Sequence, residues 1–285
     1  MRNLIHDQSG ILLGPGKEYL VENRLTVIML QNGCDNFKQL HRKLVEDTGP
    51  LRAKVIDAMT TNETLWFRDS TFVSALTDFV VPNLLEKARK QGKVRIWSAA
   101  CSTGQEPYSM AMLLEDGARR ISNPPPPDRF EILATDISPS SIFIASSGRY
   151  SQLAISRGMR EPFLERYFTK KGMVYEVNPE IRSRVTFKNF NLKDSFVPHG
   201  RFDFIMIRNV MIYFADDLKR ELYTKLRQSL LPDGFLTIGA SESPRGYTSD
   251  FEQVLVGGSA LYRPIGSSEA TNPAFLASST AKTSR

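Results

Sequence analysis

The sequence has few of the residues that support metal-dependent or nucleophilic catalysis. Its 285 residues include two cysteines, Cys34 and Cys101, and three histidines, His6, His41 and His199. Two cysteines so far apart do not suggest a disulfide framework, and their scarcity is typical of a protein of the reducing cytoplasm. No histidine lies in a pattern typical of a metal site or a catalytic dyad. We therefore expect no bound metal, and the sequence favours neither metal-assisted hydrolysis nor acyl-enzyme chemistry.

Long apolar runs are also lacking. No stretch approaches the ~18 apolar residues of a membrane-spanning helix, and the first ten residues, MRNLIHDQSG, have no apolar core typical of a signal peptide. The net charge of +6 is modest, and no basic groove interleaved with aromatic residues stands out. We expect a cytoplasmic protein that neither inserts into a membrane nor binds nucleic acid.

Apolar periodicity divides the chain into two parts. Residues 15–60 have apolar residues at helical spacing and no strand pattern, which predicts an all-helical N-terminal part. A further helical pattern covers residues 70–90, with a kink or break at Pro82. From Lys93 onward, strands alternate with helices. Strands are predicted over 94–98, 130–135, 202–207 and 235–239, helices over 106–120, 139–147 and 216–231, a turn at 232–234, and a hairpin over 251–256 and 260–262.

This alternation predicts a doubly wound, mostly parallel α/β sheet that ends in a β-hairpin. Residues 150–189 interrupt it with a short helix and strand patterns at 173–177 and 185–187, which predicts a small antiparallel β insertion. The expected division has three parts. They are an N-terminal helical domain with an interdomain segment (1–69), an α/β domain (70–265) and a disordered tail (266–285).

The clearest signal of a site is a strand, loop and helix over residues 94–112. The apolar strand breaks into small residues around Gly104 and restarts at helical spacing, which places backbone N–H groups at the strand's carboxyl end. The next strand ends at Asp136, where a doubly wound fold binds a ribose diol. Together these features indicate a ligand that contains a nucleoside. A single glycine in the loop does not identify which one.

Polar side chains also follow two later strands. Arg208 and Asn209 come after residues 202–207, and Asn191 and Leu192 come after residues 185–187. An unpaired guanidinium is costly in a core, so we expect Arg208 to bind a ligand or to form an ion pair. Asn209 is equally well explained as a helix cap. Glu106, beside a helix N-terminus, is also explained by the helix dipole.

Several longer motifs resemble the CheR family of chemotaxis protein-glutamate O-methyltransferases. The similarity runs in order from about residue 10 to residue 263. The motifs that carry it are 60–69 (TTNETLWFRD), 97–110 (WSAACSTGQEPYSM), 134–137 (ATDI), 208–214 (RNVMIYF), 239–243 (GASES) and 261–263 (LYR). The resemblance implies an S-adenosylmethionine-dependent methyltransferase sheet. The predicted terminal hairpin suits that sheet better than a nicotinamide-binding one.

By similarity to this family, the cofactor is S-adenosylmethionine and the product is S-adenosylhomocysteine. The resemblance implies that the interdomain segment contacts the cofactor and that Glu106 and Asp136 bind its amino-acid and ribose portions. The residues implied in cofactor binding are Asn62, Thr64, Arg68, Gly104, Glu106, Asp136, Asn191, Leu192, Arg208 and Asn209. Gln105 departs from the Glu found in many members, and the contact is expected to persist through Glu106.

The substrate implied by the resemblance is a glutamate side chain on the cytoplasmic helices of chemoreceptors. A glutamate carboxylate, whose ordinary pKa is about 4.3, is ionised at neutral pH and needs no general base. The chemistry then depends on alignment, and Arg68, Arg208 or Tyr213 is expected to orient the carboxylate. The short loop 170–172 in the β insertion suggests that docking does not use a receptor C-terminal pentapeptide. We expect the enzyme to be a monomer.

Two alternatives remain open from the sequence. A sequence pI near 9.3 keeps a nucleic-acid methyltransferase as one of them. A protein that binds S-adenosylmethionine or S-adenosylhomocysteine without catalysis is the other, because intact cofactor residues do not distinguish binding from transfer.

Overall fold

A computed structural model describes residues 1–46 and 49–266. Within these residues the N-terminal part consists of helices that pack around a core of their own, which includes Ile5, Leu25 and Val55. These helices are α1 (Arg2–Ser9), α2 (Glu18–Gln31), α3 (Phe37–Glu46) and α4 (Pro50–Met59). The prediction of an all-helical N-terminal part is confirmed. Helix α1 was not predicted, because eight residues with a single fully buried apolar side chain produce no periodic pattern.

A longer helical region connects the two parts of the molecule. It comprises α5 (Ser70–Ala75), a π-helical turn over Leu76–Val80, and α6 (Val81–Gln91). The predicted break at Pro82 takes the form of this π turn. A proline ring clashes with the carbonyl of an ordinary preceding turn, and the wider turn accommodates it.

The rest of the chain contains two β-sheets and the helices that connect and flank their strands. The strands are β1 (Val94–Ala99), β2 (Phe130–Asp136), β3 (Arg149–Ser151), β4 (Phe168–Lys171), β5 (Val174–Val177), β6 (Val185–Asn189), β7 (Phe202–Ile207), β8 (Leu230–Ile238), β9 (Phe251–Val256) and β10 (Ser259–Pro264). The helices are α7 (Gln105–Ala118), α8 (Pro139–Ser147), α9 (Gln152–Ser156), α10 (Glu161–Tyr167), α11 (Pro179–Arg182) and α12 (Asp216–Ser229).

The main sheet has seven strands in the order β6-β2-β1-β7-β8-β10-β9. Strands β6, β2, β1, β7 and β8 pair in parallel, and β10 pairs antiparallel with both β8 and β9. Every residue of β7 is buried, as expected for a central parallel strand covered on both faces. The predicted fold class is confirmed. The strand order runs outward from β1 in one direction and from β7 in the other, so a crevice opens at the carboxyl ends of β1 and β7.

Two details of the predicted sheet were wrong. The insertion is a three-stranded sheet, β3-β5-β4, whereas β6 joins the main sheet with Ile132 opposite Val185. Because β6 is an edge strand, its alternating exposure imitates an antiparallel pattern. The turn predicted at 232–234 lies inside β8, where the register against β7 shifts between Phe202 and Phe204. The predicted disordered tail, apart from Gly266, lies outside the described residues, and the other domain boundaries stay a prediction.

The N-terminal helices lie against the carboxyl edge of the main sheet. Leu12 N donates to the Tyr213 carbonyl at 2.8 Å, and Ile11 forms an antiparallel bridge with Phe214. On α4, Asp57 accepts from the hydroxyls of Ser138 and Ser140 at the start of α8. The crevice at the carboxyl edge is thereby closed on one side by residues of the first sixty. No described helix is long and apolar enough to cross a bilayer.

Candidate functional site

A cavity lies where the crevice of the main sheet meets the N-terminal helices and the interdomain segment. Of the residues implied by the sequence, the structure brings ten to its wall: Asn62, Thr64, Arg68, Glu106, Asp136, Asn191, Leu192, Arg208, Asn209 and Tyr213. Gly104 is not part of this wall. It begins α7 with φ +92°, and a Cβ there would lie 2.9 Å from Ala145 Cβ. Gly104 therefore allows the loop after β1 to pack closely against α8. Its predicted contact with the cofactor stays a prediction.

Asp136, the last residue of β2, is held by two backbone N–H groups. Its Oδ2 accepts from Ser102 N at 2.8 Å and its Oδ1 from Ser138 N at 2.9 Å. Ser102 has φ 52°, and this left-handed conformation belongs to the tight turn after β1. Burial raises the pKa of Asp136, the two N–H donors oppose that rise, and the nearby Asp57 charge adds to it. A buried acceptor at this strand end suits the hydroxyls of a ribose.

Glu106 lies in the first turn of α7, on the other side of the β1 loop. One carboxylate oxygen accepts from the Ser98 hydroxyl at 2.8 Å, and the other lies 3.4 Å from the Arg208 guanidinium. Both partners stand at the ends of neighbouring strands, β1 and β7. The helix-dipole explanation of Glu106 is therefore incomplete, because its side chain faces the cavity and connects two strand ends.

Arg208 is an ion-pair residue, as one of its two interpretations predicted. Its side chain is 4% exposed and lies 3.4 Å from Glu106 and 3.6 Å from Asp69. The guanidinium stacks over the Phe72 ring at 4.0 Å from its centroid, an arrangement that favours a cation. Its Nε is buried and has no hydrogen-bond partner among the described residues. This buried N–H group at the cavity wall can donate a hydrogen bond to an acidic group of a ligand.

The interdomain segment 60–69 folds across the cavity in an irregular conformation. Ser102 Oγ donates to the Asn62 carbonyl at 2.9 Å, which joins this segment to the β1 loop. Phe67 and Asp69 have φ values of 48° and 71°, both in the left-handed region. Asp69 then caps α5 by accepting from Phe72 N at 3.3 Å. Although burial opposes it, hydrogen bonds from Thr71 and Phe72 and the Arg208 charge lower the pKa of Asp69.

Asn191 and Asn209 do not have equivalent roles. The Asn191 side chain donates to the Gln8 carbonyl at 2.6 Å and accepts from Lys193 N at 3.0 Å, so it anchors the end of α1. Asn209 has φ 58° and begins the segment that reaches Tyr213. The structure does not show Asn209 as the side-chain cap of the helix that follows, because α12 begins at Asp216 and has no side-chain cap.

Several wall residues were missed by sequence reasoning. The most distant are Ser9, the last residue of α1, Ile11, which lies just after that helix, and Phe190, which follows β6. Nothing in the sequence could have indicated Ser9 or Ile11, because their position depends on the bridge between Ile11 and Phe214. Phe190, in contrast, follows a strand directly, as Asn191 nearly does, and the strand-end rule would have included it.

The donor set fits S-adenosylmethionine. Asp136 offers buried acceptors for a ribose, Glu106 offers a carboxylate suited to an ammonium group, and Arg208 retains an unused donor. Leu192, Phe190 and Ile137 supply an apolar wall where a base could pack. Among residues 1–46 and 49–266, no group of three or more His, Cys, Asp or Glu side chains is arranged as a metal site.

Comparisons with known proteins agree with this geometry. Residues 62–257 match the family described as CheR methyltransferase, SAM binding domain, and residues 1–60 match the CheR methyltransferase all-alpha domain. Chemotaxis protein methyltransferase 1 of Pseudomonas aeruginosa is 40% identical over 92% of this chain and 95% of that protein. Chemotaxis protein methyltransferase Cher2 of Pseudomonas putida is 39% identical over 92% and 95% of the two chains.

Similarity to solved structures is much lower. A TehB-like SAM-dependent methyltransferase from Corynebacterium glutamicum has a TM-score of 0.36 and 17% identity, over 63% of this chain and 85% of that one. Similarity at this level adds nothing to the assignment, which depends on the two family matches and on the relatives. The chain belongs to the CheR family of S-adenosylmethionine-dependent methyltransferases.

Proposed function

We propose that this protein transfers a methyl group from S-adenosylmethionine to glutamate carboxylates on the cytoplasmic helices of chemoreceptors, forming methyl esters. The main support for this proposal is the family membership of both domains. A cavity whose wall combines Asp136, Glu106 and the interdomain segment adds to it. The names of the relatives support a role in chemotaxis. We further propose that the enzyme acts as a monomer in the cytoplasm.

The residues of the chain bind the cofactor, orient the substrate carboxylate and exclude water. Bound S-adenosylmethionine supplies an electrophilic methyl carbon on its sulfonium. Asp136 and Glu106 hold the ribose and the amino-acid portion from opposite sides of the β1 loop. The substrate carboxylate is already ionised at neutral pH, so no side chain has to remove a proton. The main task of the site is to align the incoming oxygen with the methyl carbon, a role that can contribute several orders of magnitude in rate.

Of the three candidates for orienting the substrate, Arg68 and Tyr213 are better placed than Arg208. Arg208 is almost fully buried and already pairs with Glu106 and Asp69, so its charge is largely neutralised. Arg68 on the interdomain segment and Tyr213 on the segment after β7 are both half-buried, and both line the cavity. We propose that these two side chains flank the entering carboxylate.

The direct test incubates the protein with methyl-labelled S-adenosylmethionine and a chemoreceptor cytoplasmic fragment. We expect alkali-labile methyl esters on specific glutamates, identified by mass spectrometry, and none on a fragment in which those glutamates are glutamines. Tight binding of S-adenosylhomocysteine with no ester on any receptor fragment would contradict the enzyme proposal and favour a binding protein. Methyl transfer to DNA or RNA at low salt would instead favour a nucleic-acid substrate.

We also propose that docking does not use a receptor C-terminal pentapeptide. The hairpin of the insertion is short, since β4 ends at Lys171 and β5 begins at Val174. We expect receptor fragments with and without their last residues to be methylated at similar rates. A rate that falls at least tenfold on removing those residues would contradict this expectation.

A further inference from the structure

Glu242 accepts hydrogen bonds from three backbone N–H groups at the edge of the site. Its Oε2 accepts from Asn209 at 2.8 Å and from Gly239 at 2.5 Å, and its Oε1 accepts from Ile212 at 3.3 Å. Glu242 is not itself a wall residue of the cavity, whereas Asn209 and Tyr213 are. One carboxylate therefore connects the turn after β8 to the segment 208–214 that faces the substrate side.

The segment 208–214 needs such an acceptor because its backbone is irregular. Asn209 has φ 58°, a conformation that disfavours residues with a Cβ. A single 3₁₀ turn, Met211–Tyr213, follows directly, and the first N–H groups of a turn have no acceptor within it. Glu242 accepts from the N–H of Asn209, before the 3₁₀ turn, and from the N–H of Ile212, within it. Hydrogen bonds to a carboxylate are among the stronger ones in proteins.

Gly239 leaves the space that this carboxylate occupies. A Cβ on Gly239 would lie 2.6 Å from Glu242 Oε2, 2.8 Å from Asn209 Nδ2 and 2.9 Å from Asn209 N. Its φ is not in the left-handed region, so alanine is compatible with the backbone and only the contact excludes it. A side chain at Gly239 would therefore disturb the contact between Glu242 and Asn209 by steric overlap, whereas substitution of Glu242 removes the acceptor itself.

We propose that Glu242 is a positioning residue for methyl transfer, which holds Asn209 and Tyr213 at the cavity without touching cofactor or substrate. This inference rests on the proposed function. Arg208 at the start of the segment is held separately by Glu106 and Asp69. The influence of Glu242 therefore falls on the part of the segment beyond Arg208. There Asn209 keeps its predicted cofactor contact and Tyr213 is the residue that we assign to the substrate, so we expect the larger effect on the substrate side.

The first experiment measures amide hydrogen exchange at residue resolution in the full chain. In Glu242→Ala, we expect faster exchange at Asn209 and Ile212 than in the wild type. In Glu242→Gln, the remaining carbonyl can still accept from Asn209, but the amide group faces the Ile212 N–H, so exchange should increase at Ile212 alone. Gly239→Ala should increase exchange at Asn209. Glu221→Gln, on the exposed face of α12, is the matched control and should change neither amide.

The second experiment separates binding from turnover. For Glu242→Ala, we expect kcat for receptor methylation to fall about 100-fold, the cost of a misplaced group. The Kd for S-adenosylhomocysteine, measured by calorimetry, should change by less than about threefold, which is well within one decade of affinity. Glu242→Gln should show the same split with a smaller loss of kcat, and Glu221→Gln should behave as the wild type.

Three outcomes would overturn the inference. Unchanged exchange at Asn209 and Ile212 in Glu242→Ala would show that the carboxylate does not hold the segment. A loss of thermal stability with wild-type kcat would show a structural role only, and equal losses in kcat and cofactor affinity would place the effect on the cofactor. If the wild type itself methylates no receptor, the proposed function fails, and the exchange and calorimetry results still decide whether Glu242 holds this segment.

Discussion

The two walls of the cavity differ in how they are built. The cofactor wall, defined by Ala100, Cys101, Ser102, Glu106 and Asp136, comes from two adjacent parallel strands and the segments directly after them. The substrate wall, defined by Ile11, Val210, Tyr213 and Phe214, comes from two distant parts of the chain and is held by a third, since Glu242 accepts from the backbone of its segment without lining the cavity. The first is held by short-range contacts within a βαβ unit, the second by tertiary contacts. We therefore expect substitutions in the cofactor wall to change mainly the affinity for the cofactor, and substitutions in the substrate wall to change mainly kcat.

The largest expected effect is on the cofactor wall. Asp136→Ala removes the acceptor for two backbone N–H groups, as well as the proposed ribose contact. Losing two hydrogen bonds from the ribose hydroxyls to this carboxylate, at about 1.5–3 kcal/mol each, predicts a rise of at least about 100-fold in the Kd for S-adenosylhomocysteine. Calorimetry measures this directly, with the exposed Asp128→Asn as control. Affinity within a few fold of the wild type would mean that Asp136 is only a structural acceptor.

The next effect concerns the residue that connects the two walls. Arg208→Met leaves Glu106 and Asp69 without their shared cation, and we expect a loss of about 2 kcal/mol in the free energy of unfolding. The value is below that of a fully buried pair because both carboxylates are partly exposed, at 18% and 26%. Urea denaturation measures it. If Arg208→Lys is as stable as the wild type, the stacking on Phe72 and the paired geometry are unimportant.

A smaller effect is expected on the substrate wall. Tyr213→Phe removes only a hydroxyl at the cavity and leaves intact the backbone bond between Leu12 N and the Tyr213 carbonyl. We expect kcat for receptor methylation to fall about tenfold, equivalent to one lost hydrogen bond in the transition state, with unchanged cofactor affinity. Steady-state methylation rates and calorimetry test this split. An affinity loss larger than the rate loss would remove the distinction between the two walls.

The smallest expected effect is a pH dependence of cofactor binding. Burial raises the pKa of Asp136 above the ordinary value of 3.8, so the folded protein protonates this carboxyl at a higher pH than the unfolded chain does. The protonated Asp136 carboxyl therefore contributes to the stability of the folded protein. That contribution is fully present below the ordinary pKa and is lost as pH rises through the pKa of the folded state. If the ionised form accepts the ribose hydroxyls, affinity should weaken as pH falls from 7 towards that pKa. Asp136→Asn should bind with little pH dependence, and parallel curves for both proteins would contradict the assignment.

Much of the cofactor wall could be predicted from the sequence because its signals are local. The strand, loop and helix over 94–112 and the acid at Asp136 follow from apolar periodicity and from the position of a strand end. The same rule placed Arg208 correctly, because a cation directly after the apolar residues 204–207 of a buried strand requires a partner. The partners themselves, Glu106 and Asp69, could not be predicted, since they lie 102 and 139 residues earlier in the chain.

The errors have the same origin. Strand β6 was assigned to the insertion because five residues with alternating exposure do not show which sheet they join. Helix α1 is short and holds one fully buried apolar residue, so its pattern was too weak to detect, yet the segment after it closes the cavity. Gly104 was expected to contact the cofactor, and that stays a prediction; the structure adds that the close approach of Ala145 leaves no room for a Cβ at this position.

The sequence by itself determined the class of fold, the family and the residues that follow each strand, because hydrophobic periodicity and long ordered motifs are properties of neighbouring residues. Only the tertiary structure decided which of those residues meet. It paired Arg208 with Asp69 and Glu106, placed Ile11 beside Phe214, and directed the Glu242 carboxylate at the N–H groups of Asn209 and Ile212. These contacts join distant segments, and their positions follow from packing and from the need to satisfy buried polar groups.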